Sequence, residues 1–257
     1  MIAQKIRATV KSVPSVERTL RSVANAFSSQ GRALLRARRY CSALPRSVAD
    51  PIFVKVGAND GITGDPLSDI LLANTKWKGL LIEPVPYCFE RLKTTFCDDK
   101  RFTLCHAAIG ASAGKSIFYY VDEKAAEHIA DLPSWYDQLG SFDKNHILKH
   151  LEGRLAPFII EQDVEVFPLA DILKQNGLRD LHLLHIDTEG YDYEILKTLD
   201  LAQHPPSAIF IEHAHLPAGQ KMEMGSLLRK HAYSVSDCGG DYFAVHDNSE
   251  NSEVASG

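Results

Sequence analysis

From residue 52 onward, short continuous apolar runs alternate with segments whose apolar residues recur every three or four positions. The runs read as buried strands and the periodic segments as amphipathic helices. A strand over 52–56 leads to a helix over 66–75, striped by Leu67, Ile70, Leu71 and Leu72. Strand 79–83 ends on Glu83 and precedes a helix carrying Phe89, Leu92 and Phe96. Strand 102–106 follows, and Ser116–Val121 reads as a strand outside the main rhythm. After an irregular stretch over 122–162, strand 163–167, helix 168–176, strand 181–186, helix 190–199 and strand 207–212 resume the alternation. A helix near 220–231 precedes a hairpin, Tyr233–Ser236 and Tyr242–Val245, turned at Gly239-Gly240. The alternation predicts an α/β fold: a mostly parallel sheet with helices on both faces, and one antiparallel strand inserted by the terminal hairpin.

The first 50 residues follow another pattern. Ile2, Ile6, Val10 and Val13 recur at helical spacing, as do Val16, Leu20, Val23 and Phe27, with Pro14 between the two sets. A third basic cluster holds Arg32, Arg36, Arg38 and Arg39, and Leu44 to Pro51 reads as a linker. Residues 1–50 carry a net charge of +8, whereas 51–257 carry −13. The predicted organisation is a basic amphipathic segment over 1–50, a catalytic domain over 51–247 and a disordered acidic tail over 248–257. The basic segment has three readings: contact with an anionic membrane surface through residues 1–40, an organelle-targeting peptide, or helices packed on the domain. The acidic domain excludes nucleic acid as its partner, since nothing in it supplies a basic surface. Five cysteines without a CxxC pair argue against a disulfide framework and for a reducing, cytoplasmic setting. No apolar stretch approaches the ~20 residues that span a bilayer.

In open α/β sheets ligands bind outside the carboxyl ends of the strands. The first such end is Gly57-Ala58-Asn59-Asp60-Gly61, and the second, about 22 residues on, is Glu83. That is close to the spacing at which an acid meets a ribose in a βαβ nucleotide site. Gly57 and Gly61 allow close backbone approach, and Asp60 and Glu83 can accept hydrogen bonds from an amine and from ribose hydroxyls. The turn lacks GxGxxG and is acidic, which suits the sulfonium and ammonium of S-adenosylmethionine better than a pyrophosphate. Further strand ends carry His106-Ala107-Ala108-Ile109, Asp187-Thr188-Glu189-Gly190 and Glu212-His213. Asp187 is placed to reach between cofactor and acceptor, while Glu189 either contacts the acceptor or stabilises a helix dipole. Tyr191 and Asp192 read as first-turn surface residues.

Taken together, Val54–Gly61, Gly79–Pro86, Ala107-Ala108-Ile109-Gly110, His185–Gly190 with Tyr193–Leu196, and Ile211-Glu212-His213 resemble the FkbM-type S-adenosylmethionine-dependent methyltransferases. The resemblance spans residues 52–246 and implies a class I methyltransferase fold. It also implies methyl transfer to oxygen, commonly on sugars, glycolipid or polysaccharide units, or polyketides. Two positions depart from the family pattern: Lys55 stands where members often carry Asp, and His185 where they often carry Lys. The implied cofactor set is Gly57, Asn59, Asp60, Gly61, Glu83, Ala107, Ala108 and Asp187.

For removal of the acceptor proton the candidates are Asp187, then His213 and His185, the last of which also reads as a buried strand histidine. Asp187, Glu212 and His213 together offer a magnesium site; alternatively Glu212 and His213 only orient the acceptor or each other. The stretch 122–162 reads as a lid over the acceptor, with Trp135 and Tyr136 as stacking faces for a sugar. His146 and His150 lie four apart on a predicted helix, a spacing commoner for packing or surface histidines than for ligands. Two rivals share parts of the pattern: a nicotinamide-dependent dehydrogenase or epimerase, and a non-catalytic membrane-attached binding protein.

Overall fold

A computed structural model describes residues 28–247; the apolar repeats within 2–27 and the tail 248–257 lie outside them. The sheet strands are β1 (Ile52–Val56), β2 (Lys78–Ile82) and β3 (Phe102–Cys105), then β7 (Leu183–Ile186), β8 (Ala208–Glu212), β9 (Tyr233–Asp237) and β10 (Asp241–His246). They lie in the order β3-β2-β1-β7-β8-β10-β9, and only β10 runs against the rest. Strand order therefore reverses between β1 and β7, the place where an open α/β sheet splays to admit a ligand.

Alternation of side chains along each strand feeds two cores. Val54, Val56, Leu184, Ile186, Ile209 and Ile211 pack on one face, beneath helices Leu169–Gln175, Asp192–Lys197 and Ala218–Lys230. Phe53, Leu81, Leu183, Phe210 and Phe243 face the other side, beneath helices Ser68–Ala73 and Pro86–Thr95.

That second face is closed by a helix the sequence had assigned to the basic segment. Ser28 caps Ser29–Ala43 by accepting from Gly31 N, and Ala33, Ala37, Tyr40 and Cys41 are buried. Tyr40 donates to the His182 carbonyl at 3.0 Å, Trp77 Nε1 donates to the Cys41 carbonyl at 3.0 Å, and Arg38 pairs with Asp69 at 2.7 Å. Leu44 and Pro45, expected in a linker, are buried in a short 3-10 turn. Arg32 and Arg39 are exposed, but Arg36 donates to Ser236 and Arg38 to Asp69, so the helix belongs to the domain, its alanines and Tyr40 covering apolar sheet surface.

The strand expected at 163–167 is longer, Ile159–Phe167 (β6), and lies outside the main sheet. It pairs with β4 (Ala108–Ile109) and antiparallel with β5 (Gly114–Val121) in a separate three-stranded sheet. The irregular insertion therefore ends near Phe158. It is held by its own small core of Val121, Ala125, Tyr136, Leu139, Ile147 and Leu155. Among the described residues, no helix is long and apolar enough to cross a membrane.

Candidate active site

A cleft of about 740 Å³, part of it open to solvent, lies at the carboxyl ends of β1, β2 and β7 beneath the insertion. Its floor is the turn after β1. Gly57 sits at φ +78°, and the N–H groups of Gly57 and Ala58 both donate to the Ile82 carbonyl at 3.0 Å. Glu83 is buried: its Oε2 accepts from Asn59 N at 2.7 Å and its Oε1 from Val85 N at 2.8 Å. Burial pushes the Glu83 carboxyl up to about 7 against the pull of those two N–H groups. Asn59, at φ +48°, presents Nδ2 and Oδ1 buried and, among the described residues, without a hydrogen-bond partner.

Ala107, Ala108 and Ile109 line an apolar side of the cleft, and Asp137, Gln138, Gly140 and Phe142 reach in from the insertion. Asp60 and Gly61, expected on the cofactor, are not on the wall. The Asp60 carboxylate closes its own turn, accepting from Ile62 N and from both the N–H and the hydroxyl of Thr63. At Gly61 the absent Cβ makes room for Phe96 and Leu92 (2.4 Å and 2.9 Å from a built Cβ), so that glycine serves helix packing.

Lys55 lies under the cleft with its ammonium 2.5 Å from Asp65, both side chains almost fully buried. Asp65 also accepts from the N–H groups of Leu67 and Ser68. Burial alone would raise the Asp65 carboxyl, but Lys55 and His185 hold it far below the usual carboxylate range. His185 is 1% exposed, 3.6 Å from Asp65 and edge-on to Phe210; it is a buried strand histidine and not on the cleft wall. Burial depresses its imidazole from 6.5 to about 4.

This has a pH consequence. The unfolded chain takes up a proton at His185 as pH falls through 6.5, whereas the folded chain refuses it until about 4. Stability from this group is fully present above pH 6.5 and is lost toward pH 4, on the order of 3 kcal/mol at ~1.4 per pKa unit. Buried carboxylates that are raised, such as Glu83, act with the opposite sign, so the readout is parent against His185→Leu. Urea unfolding at pH 7.5 and pH 5 should show the parent losing more stability than the variant. Equal losses would reject this origin.

Asp187 lines the cleft at the end of β7, and its carboxylate accepts no hydrogen bond among the described residues. Burial raises its pKa, Lys55 opposes, and Asp192, Glu189 and Asp241 add to the rise. Asp192, expected at the surface, is fully buried. It accepts from Thr188 N at 2.9 Å and Gly190 N at 3.1 Å, holding a loop in which Glu189 has φ +55° and Gly190 φ +99°. Tyr191, also expected at the surface, lines the cleft.

Glu212 and His213 separate. Successive residues leaving a strand point to opposite sides, so Glu212 joins the carboxylate group while His213 packs on the Tyr242 ring, 3.6 Å from Asp237. Burial, then the charge of Asp187, raises Glu212 strongly. The expected trio Asp187, Glu212, His213 is therefore not brought together, and His213 is not on the cleft wall. His215 joins the carboxylates instead: its Nε2 lies 3.4 Å from Glu212 and 3.2 Å from Glu189, while Glu189 also lies 3.1 Å from His146. The i, i+3 spacing of Glu212 and His215 was the available sequence signal.

The stacking pair is not on the cleft wall either. Tyr136 is consumed by the core of the insertion and donates to the Glu123 carbonyl. Trp135 is 39% exposed, in a T-shaped contact with His150.

A family model described as "Methyltransferase FkbM domain" matches residues 55–239. Among solved structures, the chain is similar to a precorrin-6y C5,15-methyltransferase from Geobacter metallireducens GS-15, at 11% identity and a TM-score of 0.39, covering 82% of this chain and 84% of that one. It is also similar to the Methanococcus jannaschii fibrillarin pre-rRNA processing protein, at 12% identity and a TM-score of 0.41, covering 78% and 68%. No curated protein sequence matches it significantly.

Proposed function

This chain belongs to the FkbM methyltransferase family, and from that membership we propose that it methylates a hydroxyl of a sugar, of a glycolipid or polysaccharide unit, or of a related secondary metabolite. The observation that carries the cofactor assignment is the charge of the cleft. Glu83, Asp137, Asp187 and Glu189 stand on its wall against Lys55, whose charge is already taken by Asp65. Such a wall suits a sulfonium and an ammonium and repels a pyrophosphate, which disfavours a nicotinamide cofactor. The buried side-chain atoms of Asn59, without a partner among the described residues, fit the same reading, because buried polar groups are rarely left so.

When bound, S-adenosylmethionine supplies an electrophilic methyl on its sulfonium. The chain's residues do the rest. Glu83 holds ribose hydroxyls, the Gly57–Asn59 backbone lets the cofactor lie close, and Ala107 and Ala108 offer an apolar side to the base. The insertion closes over the acceptor and excludes water, which favours in-line alignment. Asp187, facing the cleft with an unengaged carboxylate, takes the hydroxyl proton. Magnesium has no part in this scheme, because His213 is turned away and imidazole is a poor ligand for it. The +8 charge of residues 1–50 supports peripheral contact with an anionic membrane through residues 1–40, and the −13 of the remainder supports no nucleic-acid role.

Calorimetry with S-adenosylhomocysteine and with NAD(P) tests the cofactor. Binding of the former only is expected; binding of NAD(P) only would overturn the proposal. Glu83→Ala should weaken S-adenosylhomocysteine by about tenfold or more, the loss of a charged hydrogen-bond acceptor, with the circular dichroism spectrum retained. Unchanged affinity removes Glu83 from the site. A methyl-transfer screen over glycan and glycolipid hydroxyls then tests the acceptor class.

A further inference from the structure

At the rim of the cleft three imidazoles converge from distant parts of the chain. His146 comes from the short helix Lys144–Leu148, His150 from the turn after it, and His215 from the loop after β8. One ring nitrogen from each lies within 4.8 Å of the others. Glu189 lies against two of them, 3.1 Å from His146 Nε2 and 3.2 Å from His215 Nε2. We propose that His146, His150 and His215, with Glu189 in the fourth position, bind a divalent transition-metal ion of the zinc kind that fastens the insertion to the carboxyl edge of the sheet.

The donor set decides the class of ion. Imidazole nitrogen with one carboxylate suits zinc and its neighbours, whereas magnesium prefers oxygen and keeps its water. Around a tetrahedral ion bound at ~2.0–2.1 Å, ligand atoms stand about 3.4 Å apart. The two histidine–Glu189 contacts are already near that spacing, and the His150 ring nitrogen lies within 4.8 Å of those of His146 and His215. A second, independent observation points to a cation. Among the described residues Glu212 Oε2 is buried without a hydrogen-bond partner, and a second cluster of Glu189, Glu212 and His215 shares His215 with the three histidines. Buried carboxylates in such a group call for a positive charge, and Lys55, the cation on the cleft wall, is engaged by Asp65.

The location gives the site its role. Glu189 and Tyr191 line the cleft, while His146 and His150 belong to the insertion, so an ion here ties the lid to the loop that follows β7. The inference does not rest on the identity of the methyl acceptor.

The test uses the full chain, stripped with a chelator and titrated with Zn²⁺ by calorimetry and with Co²⁺ by visible absorption. Expected are one ion per chain, the intense spectrum of four-coordinate cobalt, and no competition from excess Mg²⁺. His150→Ala and His215→Ala, measured separately, should each weaken zinc by about 100-fold. Amide exchange over residues 144–158 should slow when zinc is added. Absent binding, a weak six-coordinate cobalt spectrum, or parental affinity in both variants would overturn the site; unaltered exchange would overturn the clamp. S-adenosylhomocysteine binding, followed in parallel, separates failure of the metal site from failure of the cofactor reading.

Discussion

Gly57→Ala is expected to yield chain that is insoluble or does not bind S-adenosylhomocysteine. A Cβ at this position would stand 1.8 Å from the carbonyl oxygen of Asp187, and the obstruction is backbone, so no side-chain rotation relieves it. The residue also sits at φ +78°, where any L side chain adds roughly 1–2 kcal/mol. The clash falls where β1 and β7 leave the sheet side by side, joined by Asp187 N donating to the Val56 carbonyl at 3.0 Å. Relief would require parting those strands at the reversal point that forms the cleft. A destabilisation above about 4 kcal/mol is rare for one substitution and arises from strain of this kind, and it approaches the whole stability of a domain, ~5–15 kcal/mol. Soluble yield, thermal unfolding and calorimetry read the result. A variant melting within a few degrees of the parent and binding normally would show that the two strand ends do not meet as described.

Asp65→Ala should destabilise by about 3–5 kcal/mol, because it strands the Lys55 ammonium in a nearly dry site. The same change removes the acceptor for Leu67 N and Ser68 N at the start of helix Ser68–Ala73. For a domain of this size the melting temperature should fall by roughly 10 °C. The double variant Lys55→Met/Asp65→Leu removes both charges and should recover much of the loss, since buried pairs contribute little beyond apolar packing. The comparison separates the penalty of an orphaned charge from the worth of the pair. A single variant within about 1 kcal/mol of the parent would mean that water reaches Lys55 freely.

The two variants probe different kinds of legibility. The Gly57 turn and Glu83 were readable because both follow local rules: a β-branched run must stop at a turn, and an acid at the next strand end has a standard place. The glycines were read for ligand approach, yet Gly61 is required by Phe96 and Gly57 by Asp187. Asp60 carried weight as an acid near a cation but is spent on its own turn. Asp65 carried none, although it neutralises Lys55, because a ten-residue gap across a loop has no periodic signature. Asp192 reads as a surface residue because composition cannot tell a solvated acid from one that binds two loop N–H groups.

The sequence by itself determined the alternation of strands and helices, the antiparallel strand of the main sheet, the acidic turn after β1 and the family. Those features depend on period, turn chemistry and motif order, all of which are local along the chain. Tertiary structure alone decided which strand-end residues meet. It turned Glu212 toward Glu189 and His215 and His213 onto the Tyr242 ring, buried His185 beside Asp65, and closed helix Ser29–Ala43 onto the sheet. It also brought His146, His150 and His215 to one point. Side-chain direction at a strand end depends on pleat and register, and loops meet only when distant segments pack; neither is written in any short stretch of residues.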